Sequence, residues 1–176
     1  TGIVIMALSQ NNLNKNILRV DVFDGNNYNL VNEGFRGMGV KKGKEYQLSF
    51  YAANRDMSIK TITFQLVDPQ NNVIATADID PKLKDWKQYS AKLIANKTEE
   101  KARLKITFKG RGSIDLDMIS LFPKDTWKGR PNGLRKDLVE LIADLKPGFL
   151  RFPGGCIIEG RTLAQRYQWK KTLGAI

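Results

Sequence analysis

Near the C-terminal end, Arg151, Cys156 and Glu159 bring a guanidinium, a thiol and a carboxylate close together in sequence, and Trp169 follows. Between them Gly154 and Gly155, after Pro153, make a tight turn, because glycine adopts backbone angles closed to other residues. The chain has no histidine and a single cysteine. The commonest general base, the commonest metal ligand and every histidine-dependent triad are therefore absent. One thiol makes neither an internal disulfide nor a thiolate metal cluster. Without histidine to activate it, Cys156 reads as a small apolar group rather than a nucleophile. Glu159 stands alone, and a lone carboxylate makes no acid/base pair. Arg151 is either a pocket residue or a strand-end arginine paired to a neighbouring carboxylate; the pattern leaves both open.

A second chemistry rests on aromatic faces, on which the apolar C–H surfaces of sugar rings stack. Tyr28, Phe35, Tyr46, Tyr51, Trp86 and Tyr89 are the candidates. Tyr46 falls on the apolar phase of its strand and reads as core. Tyr51 falls on the polar phase and is expected at the surface, so Tyr51 and Trp86 are the candidate stacking residues.

The elements that must position these residues change type near Pro123. In 45–52, 61–67 and 102–108 apolar and polar residues alternate, as do Leu18, Val20 and Val22. Period two means strands with one wet and one buried face. Asp24-Gly25, Lys42-Gly43-Lys44, Asp68 to Asn72 and Gly110-Arg111-Gly112 break these runs. About eight to ten short strands at this spacing predict an antiparallel β-sandwich or jelly roll over residues 1–122. The opening TGIVIMAL lacks a basic start and reads as its first strand rather than a signal peptide. Residues 123–133 are polar and read as a linker. Leu134, Leu138, Leu141, Ile142 and Leu145 then share one helix face. Asn132 is the expected N-cap, and Lys146-Pro147-Gly148 the stop. Phe149–Phe152 reads as a short buried strand. A helix and an apolar strand make half of a repeating α/β unit, which needs partners to cover it.

The net charge of +11 raises the question of polyanion binding. The basic residues are scattered over strands and turns, so they read as a solvated surface, and no nucleic-acid partner is expected. With 41% apolar residues the chain can bury a core. No apolar run reaches the length of about 18 that spans a membrane. The first residue is Thr, which suits a chain that begins inside a longer gene product.

Residues 133–160, GLRKDLVELIADLKPGFLRFPGGCIIEG, closely resemble the α-L-arabinofuranosidases of glycoside hydrolase family 51, and YQWKKTLG at 167–174 resembles that family's next block. Residues 30–52 resemble the sandwich inserted near the start of plant-type and Bacteroides-type members, which is similar to family 4/9 carbohydrate-binding modules. The resemblance implies a galactose-binding-like sandwich followed by a helix–strand fragment of a (β/α)₈ barrel, residues 134–176. Active sites of such barrels lie at the C-terminal ends of the strands. Arg151, Gly154, Gly155, Cys156, Glu159 and Trp169 would then rim the sugar pocket. The family's acid/base and nucleophile glutamates come from later strands, so no catalytic residue is expected in this chain, and the chain alone is expected to be inactive. Its first barrel strand is expected ahead of residue 1.

The resemblance implies no cofactor for catalysis. In similar modules an acidic residue of the last strand helps hold a structural calcium, here Asp117. The implied partners are an arabinose-containing plant polysaccharide and the rest of the barrel, with a dimer through the open edge of Phe149–Phe152 a further expectation. The parent is expected to be secreted or periplasmic. Two rival readings remain, a non-catalytic glycan-binding module and a basic sandwich that binds polyanions.

Overall fold

The computed structural model describes residues 1–8, 16–25, 27–151, 154–168 and 170. It falls into two compact units, Thr1–Lys136 and Asp137–Ile176.

The first unit is the expected sandwich, with ten strands among the described residues. One sheet holds β1 (Gly2–Leu8), β2 (Asn16–Val22), β10 (Gly112–Pro123), β5 (Glu45–Ala53) and β8 (Lys87–Ile94), in that order. The other runs β3 (Tyr28–Asn32), β9 (Glu99–Gly110), β6 (Ile59–Val67) and β7 (Val73–Ile79), and β4 (Met38–Val40) also pairs with β9. Every pairing is antiparallel. The opening apolar run is indeed a strand, β1, laid on β2 from Gly2↔Val22 to Leu8↔Asn16.

The period-two pattern sets which side chains meet. Leu48 and Phe50 of β5, Phe64 and Leu66 of β6, and Ile106 and Phe108 of β9 point inward and are buried. Phe50 of the first sheet meets Phe64 of the second with ring centroids 4.7 Å apart, tilted by 43°. Each buried side chain of this size contributes about 1.5–3 kcal/mol by leaving water, so the two inner faces hold the sheets together. Tyr46 is buried, as its phase requires, and its hydroxyl accepts the Lys41 N–H at 2.8 Å. The β9–β10 hairpin turns on Gly110, at φ +125°, where an added Cβ would lie 2.3 Å from the Ser58 carbonyl oxygen. No other residue fits that close approach.

After β10 the chain closes a loop on itself. Thr126 bridges Arg135, the Thr126 hydroxyl donates to the Arg130 carbonyl at 2.5 Å, and the Trp127 N–H donates to the Leu134 carbonyl at 2.9 Å. These bonds hold residues 134–135 extended, so helix α1 (Lys136–Asp144) starts later than its apolar pattern suggests. Asn132, expected as the N-cap, instead lies in the turn at φ +50°, and Asp137 is the acidic residue of the first helical turn.

In the second unit α1 forms with its apolar stripe as predicted. The expected buried strand at Phe149–Phe152 does not form within the described residues. Phe149 and Leu150 are each 85% exposed, and no ladder reaches residues 149–151. A strand exists by pairing, and an apolar run without a ladder partner stays irregular. The edge on which a dimer was expected is therefore absent from residues 149–151, and Phe152 lies outside the described residues.

Candidate functional site

In the tail, Arg151 and Gly154 of the expected rim residues lie side by side. Helix α2 (Cys156–Glu159) follows Gly155, whose φ of +100° makes the turn the sequence calls for. A Cβ on Gly154 would lie 3.7 Å from Arg151 Nε, so this turn and the arginine are neighbours. The Ile158 N–H donates to the Gly155 carbonyl at 3.0 Å, and the Tyr167 N–H reaches back to the Ile158 carbonyl at 2.9 Å. Arg151 and Glu159 are both exposed. Trp169 lies outside the described residues.

The outward face of the first sheet carries the second candidate group. Tyr51 sits between Asp117 of β10 and Gln88 of β8 in register. It is half-buried rather than fully exposed, because neighbouring strands flank it on both sides. Trp86, just before β8, is also half-buried. Beside them lies a network that the sequence did not reveal. Asp115 is 1% exposed, although it points away from the core side chains Ile114 and Leu116. Arg19 Nε and Nη2 donate to its two oxygens at 2.6 and 2.9 Å, and Arg55 Nε donates at 3.0 Å. Two guanidiniums thus cover one carboxylate and join β2, β10 and the end of β5. The Arg19 guanidinium, hydrogen-bonded to Asp115, is held above its ordinary pKa. Pairing Asp115 with residues 96 and 60 positions away requires the fold.

The Asp117 carboxylate accepts the Met118 N–H at 2.7 Å, and no group of three or more acidic or thiol side chains that could hold a metal occurs among the described residues.

On the outward face of the second sheet, β3, β9 and β6 line a groove of about 270 Å³. Asn29, Thr107 and Thr63 stand side by side across it, with Lys105 opposite Gln65 and Lys109 opposite Thr61. The Thr107 hydroxyl donates to Asn29 Oδ1 at 2.7 Å, and the Thr63 hydroxyl donates to Asp78 Oδ1 at 2.5 Å. Sequence alternation marked Thr63, Gln65, Lys105 and Thr107 as wet-face residues. It did not show that the two strands are neighbours.

The family described as "Carbohydrate binding domain" matches residues 25–113, half of the chain. The "Alpha-L-arabinofuranosidase 1 domain" matches residues 141–176. The chain is 35% identical over 173 residues to alpha-L-arabinofuranosidase 2 of Arabidopsis thaliana, covering 92% of this chain and 25% of the relative. It is 37% identical over 178 residues to the extracellular exo-alpha-L-arabinofuranosidase of Streptomyces chartreusis, covering 94% of this chain and 20% of that protein. Among solved structures it is similar to an arabinose-bound GH51 α-L-arabinofuranosidase, with a TM-score of 0.85 and 28% identity, over 99% of this chain and 30% of the other. The chain thus spans a quarter or less of the length of these two curated relatives. The resemblance to family 51 holds along nearly the whole chain and in its fold, and by its sandwich the chain belongs to the carbohydrate binding domain family.

Proposed function

We propose that this chain is the glycan-binding sandwich and the beginning of the catalytic barrel of an enzyme that releases terminal α-L-arabinofuranosyl units from arabinose-containing plant polysaccharides. The observation that carries this reading is similarity to named α-L-arabinofuranosidases along more than nine-tenths of the chain, across both units at once. A retaining mechanism would use two glutamates outside these residues, their carboxyl groups about 5–5.5 Å apart, one protonating the leaving oxygen and one attacking the anomeric carbon. Arg151, Gly154, Gly155, Cys156 and Glu159 would form the rim. The neighbouring positions of Arg151 and Gly154 support that assignment: a guanidinium beside a glycine turn can reach carboxylates or sugar hydroxyls without a side chain in its way. Trp169 would extend the rim. Secretion of the parent is part of the proposal, supported by the name of the Streptomyces relative.

A second reading, in which the sandwich acts as a glycan-binding module, draws support from the half-buried Tyr51 ring beside Gln88 on the first sheet, with Trp86 at the start of the neighbouring strand. Hydrolysis of p-nitrophenyl α-L-arabinofuranoside by the full-length gene product, with the 176-residue chain run in parallel, tests the proposal. Turnover by the full-length protein alone is expected. Turnover by neither would remove the catalytic reading and leave arabinan retention by the chain as the property to measure.

A further inference from the structure

The groove on the second sheet has a different chemistry from the first sheet's aromatic face. Six of its lining residues, Asn29, Thr63, Gln65, Lys105, Thr107 and Lys109, carry amides, hydroxyls and ammonium groups, and the lining includes neither an aromatic ring nor a carboxylate. Its floor is rigid. The opposite faces of the same strands bear Phe64, Leu66, Ile106 and Phe108, all buried in the core, while Thr63 and Thr107 are themselves more than nine-tenths buried.

A neutral sugar bound here would lack the stacking platform that normally supplies much of the affinity. The stronger interaction available is a charge-assisted hydrogen bond. Lys105 and Lys109 are four residues apart on one face of β9, so their stems stand about 13 Å apart at a rise of about 3.3 Å per residue. Neither is paired with a carboxylate among the described residues. Asp78 and Asp80 stand on the far side of β6 and accept from Thr63 and Thr61, while Glu33, just past β3, lies 3.9 Å from Arg103 and is offset by that guanidinium. The β9 strand therefore presents Lys105 and Lys109 as unpaired charges among the described residues, and an anionic ligand is directed toward them. The Thr107 hydroxyl bond holds the Asn29 amide oxygen and so fixes the plane of that amide. Gln65 adds a second amide beside Lys105. Amides that donate and accept suit vicinal sugar hydroxyls, whereas a nucleic acid would call for a longer row of cations and for rings to stack on its bases.

We infer that the outward face of the β3–β9–β6 strands binds a uronate-bearing glycan, with Lys105 and Lys109 taking sugar carboxylates and Asn29, Gln65 and Thr107 taking hydroxyls. This site is separate from the first-sheet face and from the catalytic reading, and it stands or falls without either.

Calorimetric titration of the 176-residue chain with trigalacturonic acid tests it, with arabinotriose and a short DNA duplex as comparison ligands. Trigalacturonate is expected to bind more weakly as salt rises, and to bind more tightly than arabinotriose. Lys105→Gln and Lys109→Gln are each expected to lower the affinity about tenfold, the size of one charge-assisted hydrogen bond lost. Lys92→Gln, on the other sheet, is expected to change nothing, and unchanged melting of all three variants would keep the comparison valid. The inference is overturned if trigalacturonate does not bind, if the Lys105→Gln/Lys109→Gln double variant binds as well as the parent, or if Lys92→Gln loses as much. It is also overturned if arabinotriose binds equally, or if DNA binds equally through the same two lysines, which would make the face a general polyanion surface.

Discussion

Asp115→Asn removes one negative charge and almost no volume from the outward face of the first sheet. In the native chain three N–H groups from two arginines converge on the Asp115 carboxylate, at 2.6, 2.9 and 3.0 Å. Hydrogen bonds to a buried charge contribute about 1.5–3 kcal/mol each. Arg19 and Arg55 are 32% and 55% exposed, so water screens them and recovers part of the loss. The substitution leaves two guanidiniums facing an amide whose N–H₂ cannot accept from them. A net destabilisation of about 2–4 kcal/mol follows, below the full cost of breaking a wholly buried pair. For a unit of this size that is a fall in Tm of about 8–16 °C. Differential scanning calorimetry and urea unfolding would both read it. Arg55→Gln, which gives up the longest and most exposed of the three bonds, should cost about 1 kcal/mol or less. In the Asp115→Asn/Arg19→Gln double variant the losses should fall short of the sum, because the second change removes a partner already lost. A loss below about 1 kcal/mol for Asp115→Asn, or a larger loss for Arg55→Gln, would refute the view that this network clamps β2, β10 and β5. Loss of arabinan binding with Tm unchanged would instead assign the network to ligand contact.

Two further outcomes follow from local geometry. Gly110→Ala puts a Cβ 2.3 Å from the Ser58 carbonyl oxygen at φ +125° and is expected to cost about 2–4 kcal/mol in urea unfolding, whereas Gly43→Ala, at φ +75° with nothing within 4 Å, should cost only about 1–2 kcal/mol. The Asp68 carboxyl, held by Lys97 first and then by Asn72, is lowered from 3.8 to about 2. Its contribution is therefore fully present above pH 3.8 and is lost as the pH falls toward about 2. Melting temperature followed through that window should fall in the native chain, and the fall should be smaller in Asp68→Asn.

The alternation of apolar and polar residues determined a great deal by itself. It set which side of β5, β6 and β9 faces the core, because a side chain two positions on returns to the same face whatever the neighbouring strand. Tyr46 as core, the opening strand, the sandwich and the α1 stripe were all legible for that reason. Gly110 and Gly155 were legible as turns because few other residues take those backbone angles. The family motif around Arg151 to Glu159 was legible as sequence, and its resemblance extends across the chain.

Only the tertiary structure decided which strands are neighbours and in what register. Asp115 gains its two arginine partners only because β2 and the Arg55 turn are brought against β10. The groove exists because Thr63 and Thr107, 44 positions apart, share a row with Asn29. Asp68 became the acid that ties a hairpin to Lys97, 29 positions away. The helix start moved because the 126–135 loop bonds hold the preceding residues extended, and Phe149–Arg151 took no strand form because no ladder reaches it. Local periodicity is a property of one segment, whereas a charge network, a groove or a paired strand is a property of two or more segments meeting, and the free energy that selects the meeting comes from burying the faces the periodicity had already sorted.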